Sequence, residues 1–178
     1  VLNSASLTVS EGGTVTLNSA NFAISDVDSI HFNYSLTGIT GGYFQLSTNP
    51  GIAITSFTTT NLNAETVQFI HNGGEAPPSF NVTINDGVDD SNTVAATINF
   101  TNVNDAPINH VPGAQIVASN ESLAIDGISV SDAEGSLRGV QLSVANGVLA
   151  VTLSGNTRIT AGANDRNSLT LSGSLADI

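Results

Sequence analysis

The chain has 178 residues and a formal net charge of −12, because it contains 15 acidic residues and only 3 basic ones, all arginine. This charge excludes nucleic acid as an expected partner, and no apolar run has the length needed for direct membrane insertion. The lack of cysteine excludes disulfides, thiolate metal sites and a thiol nucleophile. The acidic surplus favours a cation as partner, the alternative being that these residues only keep the protein soluble.

Short runs of alternating apolar and polar residues follow one another along the first part of the chain. The clearest are Ile30–Leu36, Val67–Phe69, Phe80–Ile84 and Val94–Phe100, with Gly, Asn and Asp frequent between them. A period of two with such turn residues is typical of an antiparallel β-sandwich. The in-phase positions predict a core formed by Leu7, Val9, Phe32, Tyr34, Phe69, Phe80, Val82, Ile84, Ile98 and Phe100.

Helix is predicted at one place only, as a single turn within Thr58–Glu65 that is nucleated by Asn61.

The chain also repeats part of its own pattern, since Leu7–Gly12 and Ala23–Asp28 have echoes at Ile116–Glu121 and Ile128–Glu134. The echoes lie about one sandwich domain apart, which is roughly 100 residues. The sequence therefore predicts an all-β fold of two tandem modules, residues 1–106 and 107–178.

Six segments of the first module resemble, in this order, the chondroitin-sulfate-proteoglycan-type and cadherin-like repeats of large bacterial surface adhesins. These segments are Leu7–Gly12, Asp26–Asp28, Phe57–Glu65, Val67–Gly74, Phe80–Gly87 and the linker Val103–Pro107. The resemblance implies an immunoglobulin-like antiparallel β-sandwich. The chain departs from the family at Asn61, where the family often has an acid, and at Glu65, where it often has glycine.

The second module resembles a bacterial adhesin repeat. The resemblance rests on Val111–Gln115, Gly127–Asp132, Leu142–Gly147 and Gly173–Ile178. Such repeats continue with further strands, so the resemblance implies a second sandwich that is incomplete at its C-terminus and has an unpaired edge.

The resemblance further implies that Ca²⁺ binds where neighbouring modules meet, because loop carboxylates, amides and carbonyls supply the oxygens that this cation needs. By resemblance, the ligands at the junction are Glu11, Asn102, Asn104, Asp105, Asp132 and Glu134. A second set, at the opposite end of the first module, consists of Asp26, Asp28 and Asp86. The alternative for Asp26 and Asp86 is that they are ordinary turn residues.

The junction carries fewer charges than the corresponding segment of classical cadherins. Asn102 occupies a position where those proteins have aspartate, and Ala106 a position where they have asparagine. Fewer charged ligands predict weaker calcium binding.

The leading functional hypothesis is a calcium-stiffened spacer in a secreted or cell-surface adhesin, whose partners are neighbouring repeats of the same chain. The alternative is a module that binds polysaccharide or another surface protein. Sugar sites need exposed aromatic rings. Tyr34, Tyr43, Phe44 and Phe57 are the four candidates for such rings, and of these Tyr34 and Phe57 are expected in the core.

No pattern predicts catalysis, so the protein is not expected to be an enzyme. His31 is expected on a strand, His71 at the start of a turn and His110 after the linker, and no spacing among them suggests zinc. Gly-x-Ser-x-Gly does not occur. We expect these histidines to be structural or solvated.

Overall fold

The computed structural model describes residues 1–178, which form two compact units, Val1–Val103 (unit 1) and Asn104–Ile178 (unit 2). Both units consist mainly of strands and turns, and most strand pairs are antiparallel. The predicted all-β fold class is therefore confirmed. The division falls within the segment that the sequence identifies as a linker.

Unit 1 contains eleven strands, a 3₁₀ helix at Ser19–Asn21 and one α-helix, α1, at Thr59–Asn63. The strands are β1 (Leu2–Ser10), β2 (Thr14–Thr16), β3 (Phe22–Ile24), β4 (Asn33–Thr40), β5 (Gly42–Leu46), β6 (Asn49–Ile54), β7 (Ser56–Thr58), β8 (Val67–His71), β9 (Ser79–Asn85), β10 (Val94–Ala95) and β11 (Thr97–Thr101). They form three sheets, in the orders β2-β8-β5-β6, β10-β9-β4-β7 and β11-β1-β3.

Strand β1 connects two parts of the sandwich, because its first half pairs antiparallel with β3 and its second half pairs parallel with β11. The amino group of Val1 donates to the Ser25 carbonyl at 2.7 Å. At the other end of β1, the Glu11 N–H donates to the Thr101 carbonyl at 2.9 Å. We call these the entry end and the exit end of unit 1, because the chain enters beside Ser25 and leaves beside Glu11.

The alternating pattern places most of the core correctly. Eight predicted core residues are buried, namely Leu7, Val9, Phe32, Tyr34, Phe69, Phe80, Val82 and Ile84. The other two, Ile98 and Phe100, are half-buried and pack against that core from β11, which is an edge strand. The predicted run Val94–Phe100 divides at Ala96, where the chain leaves β9 and pairs with β1 instead.

The start of the run at Ile30 is wrong. Ile30 is 77% exposed, and β4 begins only at Asn33, so His31 does not lie on a strand either. The cause is a contact with a residue distant in sequence, because the Phe32 N–H donates to the Thr59 hydroxyl at 2.9 Å rather than to a neighbouring strand.

Two further expectations about single residues are wrong. Phe44 is completely buried and is no surface aromatic, because β5 is an inner strand whose Phe44 side chain packs against Phe69 and Phe80. His71 does not begin a turn, since it is the last residue of β8 and is buried.

The predicted helical turn is confirmed as α1. Thr58 caps it, since its hydroxyl accepts the Asn61 N–H at 3.3 Å and its own N–H donates to the Asn61 side chain at 2.9 Å. This reciprocal pair is a capping box, in which two otherwise unpaired donors are satisfied. The same arrangement between Asn18 and Asn21 forms the 3₁₀ helix, which the sequence analysis did not predict.

Unit 2 contains β12 (Ile108–His110), β13 (Ser129–Ser131), β14 (Gly139–Ser143), β15 (Arg158–Gly162) and β16 (Ser168–Ser172). β12 pairs with β13, and β14-β16-β15 form a second sheet. The core is small, with Leu137, Leu169 and Leu171 as its buried apolar residues. The echo at Ile116–Glu121 does not form a strand, and Ile116 is 95% exposed.

Candidate metal centres

The exit end of unit 1 brings two acidic side chains together. Strand β2 pairs with β8, and this pairing places the turn after β1 beside the loop that follows β8. The carboxylate oxygens of Glu11, in the turn, and Glu75, in the loop, lie within 4.8 Å of each other. Unit 1 contains no lysine or arginine to offset their repulsion. Two like charges at this distance favour a bound cation.

Both carboxylates also hold the segment that leaves unit 1. Glu11 Oε2 accepts the Val103 N–H at 3.0 Å, and Glu75 accepts a hydrogen bond from the Asn102 side-chain amide. Three oxygens of this group accept neither of these hydrogen bonds, namely the second carboxylate oxygen of Glu11, that of Glu75, and the side-chain carbonyl oxygen of Asn102. Glu11 and Asn102, both predicted ligands, therefore lie at one end of one unit.

Glu75 is not among the ligands that the sequence predicts. It lies in the loop Gly73–Pro78, where glycine and proline give no periodic signal. The informative feature is the antiparallel register of β2 and β8, in which Thr14 is opposite Ile70. Once these two strands are paired, the residues after β8 must lie beside those before β2.

Unit 2 brings its four predicted ligands into one hydrogen-bonded loop cluster. The Asp105 N–H donates to Glu134 Oε1 at 2.8 Å, and the Ser136 N–H donates to Asp132 Oδ1 at 2.6 Å. The Ser136 hydroxyl donates to Asn104 Oδ1 at 3.1 Å. These contacts hold Asn104 and Asp105 against the loop of Asp132 and Glu134.

One buried atom of this cluster has no hydrogen-bond partner. Glu134 Oε2 is buried and makes no hydrogen bond. A buried carboxylate oxygen without a donor is costly, and either a water molecule or a cation bound there would remove this cost. A hard cation that prefers carboxylate and carbonyl oxygens fits this donor set, because every ligating atom in the cluster is oxygen.

The entry end of unit 1 carries the third set of predicted ligands. Asp26 Oδ1 accepts hydrogen bonds from the N–H groups of Asp28 and Ser29. Asp86 Oδ1 accepts them in the same way from the N–H groups of Val88 and Asp89. Both aspartates therefore form turns through one carboxylate oxygen and leave the other available. Asp26, Asp28 and Asp86 do not come within 4.8 Å of one another as a group of three.

The same hydrogen bonds act on the acidity of these side chains. The pKa of Asp26 lies below its usual value of 3.8 because the N–H groups of Ser29 and Asp28 donate to its carboxylate. The pKa of Asp86 is also lowered, by the N–H groups of Asp89 and Val88, against the opposing charge of Asp26. Both groups are thus ionised and close enough to repel each other.

Unit 1 is therefore a β-sandwich through which the chain passes from one end to the other, with acidic loops at both ends. A family model described as cadherin-like matches residues 1–100, which is more than half of the chain. The chain belongs to this cadherin-like family.

The other comparisons add no relative. No curated protein and no solved structure matches the chain, and no enzyme family was found. None of its helices has the length and apolarity needed to cross a bilayer.

Proposed function

We propose that this protein is a calcium-stiffened structural repeat, a spacer, in a secreted or cell-surface adhesin. Membership of the cadherin-like family, which is typical of adhesion and structural repeats, supports the class. The observation that carries the proposal is the pair Glu11 and Glu75 at the exit end, whose carboxylates hold the departing segment at Val103 and Asn102.

The mechanism follows from what these side chains hold. Without a cation, the Glu11 and Glu75 carboxylates repel each other. This repulsion weakens their hydrogen bonds to Val103 and Asn102, the residues that follow β11 and its end at Thr101. Ca²⁺ bound between them removes this repulsion and accepts the remaining carboxylate oxygens as ligands. The segment Asn102–Asp105 then has fewer accessible conformations, and the linker becomes stiffer.

Calcium titration of single variants tests the proposal. Glu11→Gln and Glu75→Gln keep the size of each side chain but remove its charge, and each should weaken Ca²⁺ binding at least about tenfold, since even indirect partners of a metal contribute that much. Asp126→Asn is the matched control, because Asp126 is exposed and lies outside every cluster described above. Isothermal titration calorimetry measures the affinity and the stoichiometry.

Variants of unit 2 test whether its predicted ligands contribute to Ca²⁺ affinity. Asp132→Asn and Asp105→Asn are each expected to weaken Ca²⁺ binding, because both residues belong to the hydrogen-bonded loop cluster of unit 2. The combination of two such variants should then cost less than the product of the single effects, because residues that share a ligand are not independent. Unchanged affinity and stoichiometry in all of them would rule out the calcium mechanism.

The alternative of a polysaccharide-binding module has less support. Among its four aromatic candidates, Tyr34, Phe44 and Phe57 are buried, and Tyr43 is half-buried. Unit 2 contains no aromatic residue. A flat aromatic platform for a sugar is therefore not built by these residues.

A further inference from the structure

The geometry points to His71 as the positioning residue that sets the separation of Glu11 and Glu75 at the exit end of unit 1. His71 ends β8 and is only 3% exposed. A buried polar side chain needs hydrogen-bond partners, and those of His71 lie in the two loops that carry the two glutamates. The inference rests on the proposed function, because it explains how that candidate site is held.

The imidazole makes three hydrogen bonds to backbone groups. Nδ1 lies 3.2 Å from the Gly12 nitrogen and 3.1 Å from the Gly73 nitrogen, and both N–H groups point to it. A ring nitrogen accepts hydrogen bonds only when it carries no proton. The ring proton is therefore on Nε2, which lies 3.3 Å from the Ala76 carbonyl oxygen and donates to it.

These partners are direct neighbours of the two acidic residues in the chain. Gly12 follows Glu11, and Ala76 follows Glu75. The His71 N–H also donates to the Gly13 carbonyl at 2.9 Å, so backbone and ring of one residue hold the same turn. One imidazole thus connects the turn after β1 to the loop after β8.

Both loops need such an anchor because they contain glycines in the left-handed region. Gly12 has φ 61° and Gly73 has φ 78°, and no other atom lies within 4 Å of the position of a Cβ at either residue. Glycine in open surroundings has the greatest backbone freedom of any residue. The imidazole packs against the Phe100 ring in a tilted contact, with ring centroids 4.9 Å apart, and so gives both loops a fixed attachment point.

Two conservative variants separate the two sides of the ring. Asn at position 71 keeps an acceptor near the place of Nδ1, whereas Gln keeps a donor near the place of Nε2. Because Nδ1 holds Gly12 and Gly73, we expect His71→Asn to retain Ca²⁺ affinity within about threefold. His71→Gln should lose about tenfold, which is the effect of one or two neutral hydrogen bonds.

Gln45 provides a matched control for a loss of stability without a loss of positioning. It is also a buried polar residue of the same sheet, and its Oε1 accepts the Gly51 N–H at 2.7 Å. Gln45→Met removes that acceptor at similar volume and should lower the free energy of unfolding. Its Ca²⁺ affinity should equal that of the unaltered protein, since Gly51 belongs to neither glutamate loop.

Nuclear magnetic resonance of the calcium-free protein tests the positioning independently of calcium. The ¹⁵N shifts of His71 should show the proton on Nε2. The amide of Val103 and the side-chain amide of Asn102 report on Glu11 and Glu75, to which they donate. In His71→Gln the chemical shifts of both amides should move toward those of an unstructured chain. In His71→Asn both chemical shifts should remain those of the unaltered protein.

Calcium titration tests the calcium site, and the amide chemical shifts test the role of His71 separately. Absence of Glu11-dependent calcium binding in the unaltered protein would refute the calcium site, while the amide signals would still decide the role of His71. Equal calcium affinities and equal amide shifts in His71→Asn and His71→Gln would overturn the positioning role. A proton on Nδ1 would overturn it as well.

Discussion

At the residue scale, three phenylalanine rings form the centre of unit 1. Phe44 lies 5.1 Å from Phe69 and 4.9 Å from Phe80 between ring centroids, and both contacts are edge-to-face. All three side chains are buried. Because Phe80 belongs to the sheet opposite that of Phe44 and Phe69, this cluster joins the two layers of the sandwich.

The cluster predicts the effect of a truncation. Phe80→Ala should lower the free energy of unfolding by about 3–5 kcal/mol, because it removes a buried ring and leaves a cavity between two sheets. Ile30→Ala is the control and should change it by less than about 0.5 kcal/mol, since Ile30 is exposed. Chemical denaturation measures both, and a loss below about 1 kcal/mol for Phe80→Ala would contradict the described core.

The entry-end aspartates predict a dependence on pH. The backbone N–H groups lower the pKa of Asp26 and of Asp86 in the folded protein. Their stabilising contribution is therefore present above the unfolded pKa, near 3.8, and is lost as the pH falls through the lower folded values. Carboxyl ¹³C titration should give values below 3.8 for both, whereas values at or above it would contradict the observed hydrogen bonds.

At the scale of elements, α1 shows how a single turn of helix is made stable at both ends. Thr58 and Asn61 cap its start. At its end the Glu65 N–H donates to the Leu62 carbonyl at 2.9 Å, and the Thr66 N–H donates to the Asn61 carbonyl at 3.0 Å. This pair of bonds is a Schellman motif, which requires a left-handed residue at the position of Glu65.

The C-terminal motif predicts a stabilising substitution. Glu65 has φ 51°, a conformation that costs a residue with a Cβ about 1–2 kcal/mol. Glu65→Gly should therefore raise the free energy of unfolding by about 1 kcal/mol, because glycine adopts this conformation without the penalty of a Cβ. Glu65→Ala removes the same charge but keeps the unfavourable conformation, so thermal unfolding should show no comparable gain for it.

At the scale of the whole molecule, the spacer proposal predicts a response that distinguishes cations. Small-angle scattering should show a narrower range of molecular dimensions in Ca²⁺ than in chelator at equal ionic strength. Circular dichroism should show little change in strand content between the two conditions. Mg²⁺ should substitute poorly, because it keeps its water and demands a smaller octahedral site. Identical scattering in all three conditions would remove the mechanical role and leave the binding-module alternative.

The sequence predicted features that depend on nearby residues better than those that depend on distant ones. The alternation identified Phe69 and Phe80 as core residues, because the period of two depends only on residues within the same strand. It failed at Ile30, where a contact to Thr59 ends the strand pairing, and at Phe44, whose burial depends on both neighbouring sheets. Glu75 was missed for the same reason, since only the register of β2 and β8 brings it to Glu11.

The parallel pairing of β1 with β11 determines how unit 1 carries a pulling force. Ser6–Ser10 lies beside Thr97–Thr101 in the same direction, so a force applied at the entry and exit ends draws the two strands past each other. All backbone hydrogen bonds between them are then loaded in shear at once, whereas an antiparallel pair pulled from one end opens one bond at a time. Resistance to such a force depends on the rate of unfolding rather than on equilibrium stability. Tension between the two ends of unit 1 therefore loads a strand pair whose hydrogen bonds must break together.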